Sequence, residues 1–459
     1  VSNSRIDAAG PTHDSVVILG ARPGPRVRLS AGLTALGLLW ACQGPQPGSD
    51  DVGTGGTTGA GGSPAGGAPA SGGATASGGA TASGGSGGAP ASGGAPTSGG
   101  ASSGGTTGDA GGSPSGGGSN FEPVFMLGAD ISTAQESSAT YVDTDGQTKS
   151  LFELLKNHGF NFIRLRTFVD PTAPGGYAST DGGCAGKTEA YGDKEHVIAY
   201  GKEAKDAGMG LLLDFHYSDV WADPGNQIIP ASWRAASTTD ELGELLAAYT
   251  KDVLEDAIAA GARPDMVQIG NEITPGTVAH LPGPDTDCWG NSPGSTSPIG
   301  GTTGAWDRLA TLLQAGIAAV REVDPTIKVM LHIENTDDLE GVQWWVESAV
   351  SRGVEFDVLG LSCYTAFQGP PSTWEATFTQ MAEDYPELEF AIAEYNPERT
   401  AANTIMKNLP DGRGLGTFFW EPTLEGEWGD SMFTWDGNTQ VAIPSAFEEY
   451  DDMLGELGL

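Results

Sequence analysis

Glu272, in the Asn271-Glu272 pair that closes the apolar run MVQIG, and Glu394, which closes the apolar run FAIA, are the residues of this 459-residue chain best suited to chemistry. Each glutamate stands at the C-terminal tip of a predicted buried strand, and the two lie 122 positions apart. Two carboxylates brought together from remote strands suit hydrolysis of a glycosidic bond with retention. One carboxyl, protonated, gives its hydrogen to the leaving oxygen, and the other, ionised and about 5–5.5 Å away, attacks the anomeric carbon. Glu272 takes the acid role, with burial and the charge of Glu394 raising its pKa. Glu394 stays ionised provided an arginine of the second strand and the hydroxyl of Tyr364 donate to it. The competing use of such glutamates is a structural ion pair. Asn271 can donate to a sugar 2-hydroxyl, a contact that strengthens as positive charge develops on the ring, or can cap a helix. Trp420 offers a flat face on which a pyranose stacks, or simply fills core.

Such residues need a scaffold that collects strand ends at one place. Beyond Phe121, eight strand-like runs alternate with amphipathic stretches: VFMLGADI, FNFIRLRTF, GLLLDFHY, DMVQIGNE, IKVMLHIE, FDVLGLSCY, EFAIAEY and LGTFFWEP. The helical stretches between them include TKSLFELLKNHG, KEHVIAYGKEAKDAG, ELGELLAAYTKDVLEDAIAAGA, AWDRLATLLQAGIAAVREV, VQWWVESAVSRGV and WEATFTQMAEDY, with SAFEEYDDMLGEL as the eighth helix. Continuous apolar strands joined by helices predict a parallel sheet, and eight units predict closure into a (β/α)8 TIM barrel. The unusual polar residues fall where the strands end: Asp130, Arg164 and Arg166, Asp214 and His216, Asn271 and Glu272, His332, Tyr364, Glu394, then Trp420 and Glu421. In a barrel of this kind that is the catalytic face. Alternation puts Arg164 and Arg166 on one side of their strand.

The formal charge of −37 and the absence of a basic stripe exclude a nucleic-acid partner, because binding a polyphosphate requires clustered Lys and Arg. Composition divides the chain into residues 1–42, 43–119 and 120–459. Arg22, Arg26 and Arg28 precede LSAGLTALGLLWA, an apolar stretch of signal-peptide length that is too short to span a bilayer. It ends in Leu39-Trp40-Ala41-Cys42, which resembles a bacterial lipobox and makes Cys42 the lipidation residue of an exported, cell-surface or outer-membrane lipoprotein; simple secretion is the alternative. Residues 43–119 cycle through SGGA, TGGA and GGSP units with almost no large apolar side chain, the composition of a disordered linker. As a Gly/Ser coil it would hold its ends roughly 45–50 Å apart, a tether between membrane and polymer. Of the four cysteines, Cys363 lies within a strand, while Cys184 and Cys288 sit in loops after strands two and four, on one face. After export they could pair; otherwise they are free thiols.

The run LLLDFHYSDVWADPGNQ, with LGADIS, GFNFIRLRTFVDP, PDMVQIGNEIT, LLQAGIAAVREVDP and FDVLGLSCYT, resembles glycoside hydrolase family 53, the endo-β-1,4-galactanases, over about residues 125 to 455. The resemblance implies Glu272 as acid/base and Glu394 as nucleophile. It implies that Arg164, His216, Asn271, Tyr364 and Trp420 line the cleaved subsite, and that Asp219, Trp221 and Asp223 belong to the substrate groove. Asp214 and His332 join the substrate-binding set through their place at strand ends. The implied activity is endo-cleavage of type I arabinogalactan by a monomer touching the membrane only through its lipid. Family members often read AET after strand seven and Trp-His-Gly after strand six, where this chain has AEYNPE and Phe367-Gln368-Gly369. Bacterial relatives can hold calcium after strand seven. Here that loop, NPERTAANTIMKNLPDGRG, is short and poor in alternating oxygen ligands, so no metal and no cofactor is expected. Other clan enzymes, such as a mannanase or xylanase, and a surface carbohydrate-binding lipoprotein without turnover are the rival readings.

Overall fold

All eight apolar runs become parallel strands in the computed structural model, which describes residues 125–179, 184, 189–424 and 429–457. The lipobox-like Cys42 and the linker at 43–119 lie outside the described residues. The strands are β1 (Met126–Asp130), β2 (Phe162–Thr167), β3 (Gly210–Phe215), β4 (Met266–Ile269), β5 (Lys328–Ile333), β6 (Val358–Tyr364), β7 (Glu389–Asn396) and β8 (Gly414–Trp420). They close in the order β1-β8-β7-β6-β5-β4-β3-β2, with β2 pairing back onto β1. Between them run α1 (Leu151–Asn157), α2 (Lys194–Asp206), α3 (Thr239–Ala260), α4 (Trp306–Val323), α5 (Leu339–Val350), α6 (Pro371–Asp384), α7 (Arg399–Asn408) and, last, α8 (Pro444–Leu457).

Helix α7 corrects the sequence reading, which treats residues 396–414 as a loop. Its buried residues Arg399, Ala402, Asn403, Ile405 and Met406 include only two large apolar side chains, so the helical period is masked by Arg, Thr and Asn. Asn403 is buried because the Tyr395 hydroxyl, the Arg399 carbonyl and the Thr417 hydroxyl all bond it. Four of the other helices start where side chains satisfy free backbone N–H groups. Ser150, Asp193, Thr238 and Asp338 accept from the third residue on and cap α1, α2, α3 and α5.

Strand alternation divides the barrel interior into two storeys. At the N-terminal ends of the strands the inward residues are apolar, among them Met126, Phe162, Leu212, Met266, Met330 and Phe418, and they form a plug separate from the larger core under the helices. Two residues further along, the same faces carry Arg164, Asp214, Gln268 and His332, so period two delivers a polar storey above the plug. Small strands outside the barrel tie its upper loops. Thr140–Val142, in the loop after β1, pairs in parallel with Thr439–Ala442, before α8, within a four-stranded sheet.

The seam between β8 and β1 needs a residue without a side chain at Gly416. Its φ is +147°, and a Cβ there would stand 2.0 Å from the Met126 carbonyl oxygen. Gly416→Ala is therefore expected to cost about 3–4 kcal/mol, read as a fall in urea midpoint. Gly304→Ala, where a methyl group meets only Thr302 Oγ1 at 3.7 Å, should cost less than about 1 kcal/mol.

Candidate active site

Glu394 reaches the barrel interior through a break in strand regularity. Ala391 and Ala393 belong to the interior plug, while Tyr395 packs in the core under the helices. Strict alternation would therefore point Glu394 at the helices. The β6–β7 register instead shifts between Leu361 and Ser362: Leu361 pairs with Ile392, but Ser362 pairs with Glu394. The extra residue is a β-bulge, and it re-aims the next side chain inward. Tyr364 donates to Glu394 Oε2 at 3.0 Å. Arg164 Nη1 lies 2.9 Å from Oε1, a charge contact without hydrogen-bond alignment, and among the described residues no donor bonds Oε1.

Arg164 is the hub of the polar storey. Nη1 donates to Asp130 at 2.9 Å, Nη2 to Asp214 at 2.8 Å and Asn271 Oδ1 at 2.9 Å, and Nε to Gln268 at 3.2 Å. Burial opposes a charge on Asp214, yet Arg164 and then His216 outweigh it and lower its pKa. At Glu394 the balance goes the other way. Burial, supported by Asp130 and Asp214, overcomes Arg164 and Tyr364 and pushes the carboxyl up to about 7. Of the two donors the sequence reading asks for to keep Glu394 ionised, Tyr364 makes its hydrogen bond and Arg164 contributes charge alone.

Glu272 follows Gly270 and Asn271 at the end of β4 with φ +46°, a left-handed conformation that a glutamate rarely adopts. Its Oε1 lies 2.7 Å from Ser362 Oγ, which is 2.9 Å from His332 Nε2. Burial, then the charges of Glu394 and Glu334, raise its pKa well above the usual range. The two glutamates are thus held by Ser362 and Tyr364, which alternation puts on one face of β6 roughly 6–7 Å apart. Asn271 Oδ1 accepts from Arg164, Gln268 and His332, and its Nδ2 donates to the Ala222 carbonyl, leaving one amide hydrogen for a ligand.

Several predicted binding residues work at one remove. Arg164, Asp214 and His332 are fully buried, and the oxygens of Asp214 are engaged by Arg164, His216 and Gln268. They hold the contact groups rather than present themselves to a sugar. His216 Nδ1 accepts from Ala222 N–H at 3.0 Å, so its Nε2–H faces Asp214. Asp219 is engaged by backbone as well. Its two oxygens accept from the backbone N–H of Asp170 and Ala231, clipping loops together, and burial pushes it up to about 6. Asp223 closes a tight turn with Gly225 and Asn226. Trp221 and Trp420 stand 5.8 Å apart, and Trp289 lies 6.2 Å beyond Trp221, an aromatic wall. Beneath it the Arg166 guanidinium sits 3.9 Å from the Trp221 ring and bonds Glu421 at 2.8 Å. Cys184 and Cys288 form a disulfide beside Phe168, Tyr177, Trp221 and Trp289. Gln268 and Ser362 escaped the sequence reading, although each is two positions from an inward residue, Met266 and Tyr364, and period two would have found both.

The profile of "Glycosyl hydrolase family 53" matches residues 126–404. An endo-beta-1,4-galactanase of Bacillus subtilis is 30% identical over 332 residues, covering 65% of this chain and 70% of the relative. An arabinogalactan endo-beta-1,4-galactanase of Thermothelomyces thermophilus is 29% identical over 321 residues, covering 63% and 85%. Among solved structures, a fungal beta-1,4-galactanase superposes with a TM-score of 0.56 at 26% identity, covering 70% of this chain and 98% of that one. A closed eight-stranded parallel barrel, a glutamate after its fourth strand and another on its seventh, and the match to the family over most of the barrel carry one conclusion: the chain belongs to glycosyl hydrolase family 53.

Proposed function

We propose that this protein is an endo-β-1,4-galactanase that cuts the galactan backbone of type I arabinogalactan by retaining double displacement. The observation that carries the reading is the pair of glutamates held from one face of β6, the half-buried Glu272 by Ser362 and the buried Glu394 by Tyr364, in a chain whose relatives include galactanases. In the first step a Glu394 oxygen attacks the anomeric carbon and the glycosidic C–O bond breaks. Glu272 gives its proton to the departing oxygen, leaving a glycosyl ester on Glu394. In the second step Glu272, now a carboxylate, takes a proton from water, and that oxygen displaces Glu394. Asn271 donates its remaining amide hydrogen to the sugar 2-hydroxyl, and the wall of Trp221, Trp289 and Trp420 receives pyranose faces. The enzyme is exported as a monomer, lipidated on Cys42 and spaced from the membrane by residues 43–119.

Glu272→Ala and Glu394→Ala are each expected to lose several orders of magnitude on β-1,4-galactan, with mannan and xylan uncut by the wild type. NMR of the first product should show the β anomer, and azide should partly rescue Glu394→Ala as an α-glycosyl azide. An initial α product would mean inversion and would remove Glu394 from the nucleophile role. The pH profile of kcat/KM reports the free enzyme. Glu394 must be ionised, so activity should fall about tenfold per unit as pH drops below about 7, and an acid limb near 4 would contradict the burial argument. Labelled palmitate should enter the wild type but not Cys42→Ala, which should be released to the medium.

A further inference from the structure

Hydrogen-bond direction around Glu272 is set from the far side of the barrel. Asn271 Oδ1, an oxygen that can only accept, faces Arg164 Nη2 at 2.9 Å, Gln268 Nε2 at 3.0 Å and His332 Nδ1 at 3.0 Å. Its Nδ2 faces the Ala222 carbonyl at 2.8 Å, so turning the amide over would point N–H groups at a guanidinium. His332 Nδ1 therefore carries a hydrogen. Burial, then the nearby Arg164 charge, keep this imidazole neutral, with its pKa well below the usual value. Its Nε2 is then a bare lone pair, 2.9 Å from Ser362 Oγ. Serine has a single hydroxyl hydrogen. Toward a carboxylate, Ser362 Oγ donates to Glu272 Oε1 at 2.7 Å and lowers its pKa; if His332 takes the hydroxyl hydrogen, only the acceptor side of Oγ is left, and that contact is then a hydrogen bond only when Glu272 bears the proton.

We propose that His332 and Ser362 are positioning residues that hold Glu272 in its protonated, donor form, through the directed chain Asn271 ← His332 ← Ser362 ← Glu272. A serine alone would serve a carboxylate equally well. It is the claim of His332 on the hydroxyl hydrogen that turns the acceptor face of Ser362 to the acid. Once Glu272 has given its proton to the leaving oxygen, the hydroxyl swings to the new carboxylate and Nε2 loses its donor. Regaining the proton restores both bonds. The proposal rests on the reading of Glu272 as acid/base and adds what sets its proton. The groups facing Glu272 are Glu394 on β7, Glu334 after β5, Asp223 after β3, and Ser362 and Tyr364 on β6. Of these, only Ser362 hands on a hydrogen-bond direction from His332.

The test compares galactan, whose leaving group needs a proton, with a dinitrophenyl β-galactobioside, whose leaving group does not. In Ser362→Ala the alkaline limb of kcat/KM on galactan should move down by about one pH unit, and the galactan-to-dinitrophenyl rate ratio should fall about tenfold, the loss of roughly one hydrogen bond to the acid form. The acid limb, set by Glu394, should stay in place. An unmoved alkaline limb, or equal losses on both substrates, overturns the relay. Glu272→Ala separates the two ideas. If it leaves the substrate ratio unchanged, Glu272 is not the acid; if it collapses the ratio while Ser362→Ala does not, only the relay fails. Nitrogen-15 NMR of wild-type imidazoles needs no variant to fold. His332 should be neutral with hydrogen on Nδ1 across the active range, and a hydrogen on Nε2 there would overturn the chain.

Discussion

The constraint on which the site depends is a cation with no route to water. Arg164 is fully buried, and it can remain charged only because Asp130, Asp214 and Glu394 surround it while Asn271 and Gln268 occupy its remaining donors. These partners come from β1, β3, β7 and the end of β4, so the guanidinium ties together strands from both sides of the barrel. Removing it would strand carboxylates in a low-dielectric interior, a loss of about 3–5 kcal/mol in comparable buried pairs. With Arg166 included, two guanidiniums face Asp130, Asp214, Glu394 and Glu421. Carboxylates outnumber cations here, and burial pushes both Glu394 and Glu421 up to about 7.

The catalytic pair itself depends on departures from regular geometry. A uniform strand would send Glu394 toward the helices, and a uniform strand end would leave Glu272 without its left-handed turn. The bulge in β7 is held by the Tyr364 hydroxyl on one side and by Tyr395, bonded to Tyr450, on the other. Local irregularity is thus supported by polar contacts to both faces of the sheet, as backbone strain at functional sites requires.

Much of this was legible in the chain because each signal had one physical cause. Eight apolar runs with polar tips foretold both the closed barrel and the end where chemistry gathers. Two-residue alternation placed Arg164 with Arg166. What escaped notice had weak or competing signals. Helix α7 buries an asparagine where an apolar stripe would normally announce a helix. The bulge at Glu394 changes which way a side chain points without changing composition, so Glu394 was found by its place at a strand end and not by its face. Asp214 was assigned to substrate by its place at a strand end and Asp219 through the family resemblance, and in the structure Arg164 and backbone amides engage their oxygens.

Tyr217, Glu272 and Glu421, which follow β3, β4 and β8, share φ values of +48°, +46° and +43°. Each is a side chain kept at a backbone angle that glycine or asparagine would tolerate better. At Glu272 the preferred residue for the angle and the required residue for the reaction are different, so replacing the glutamate would relax the chain while silencing it. Screening variants of this enzyme for heat resistance alone would therefore enrich inert barrels, and durability should be sought in the helices and lower plug, away from these three corners.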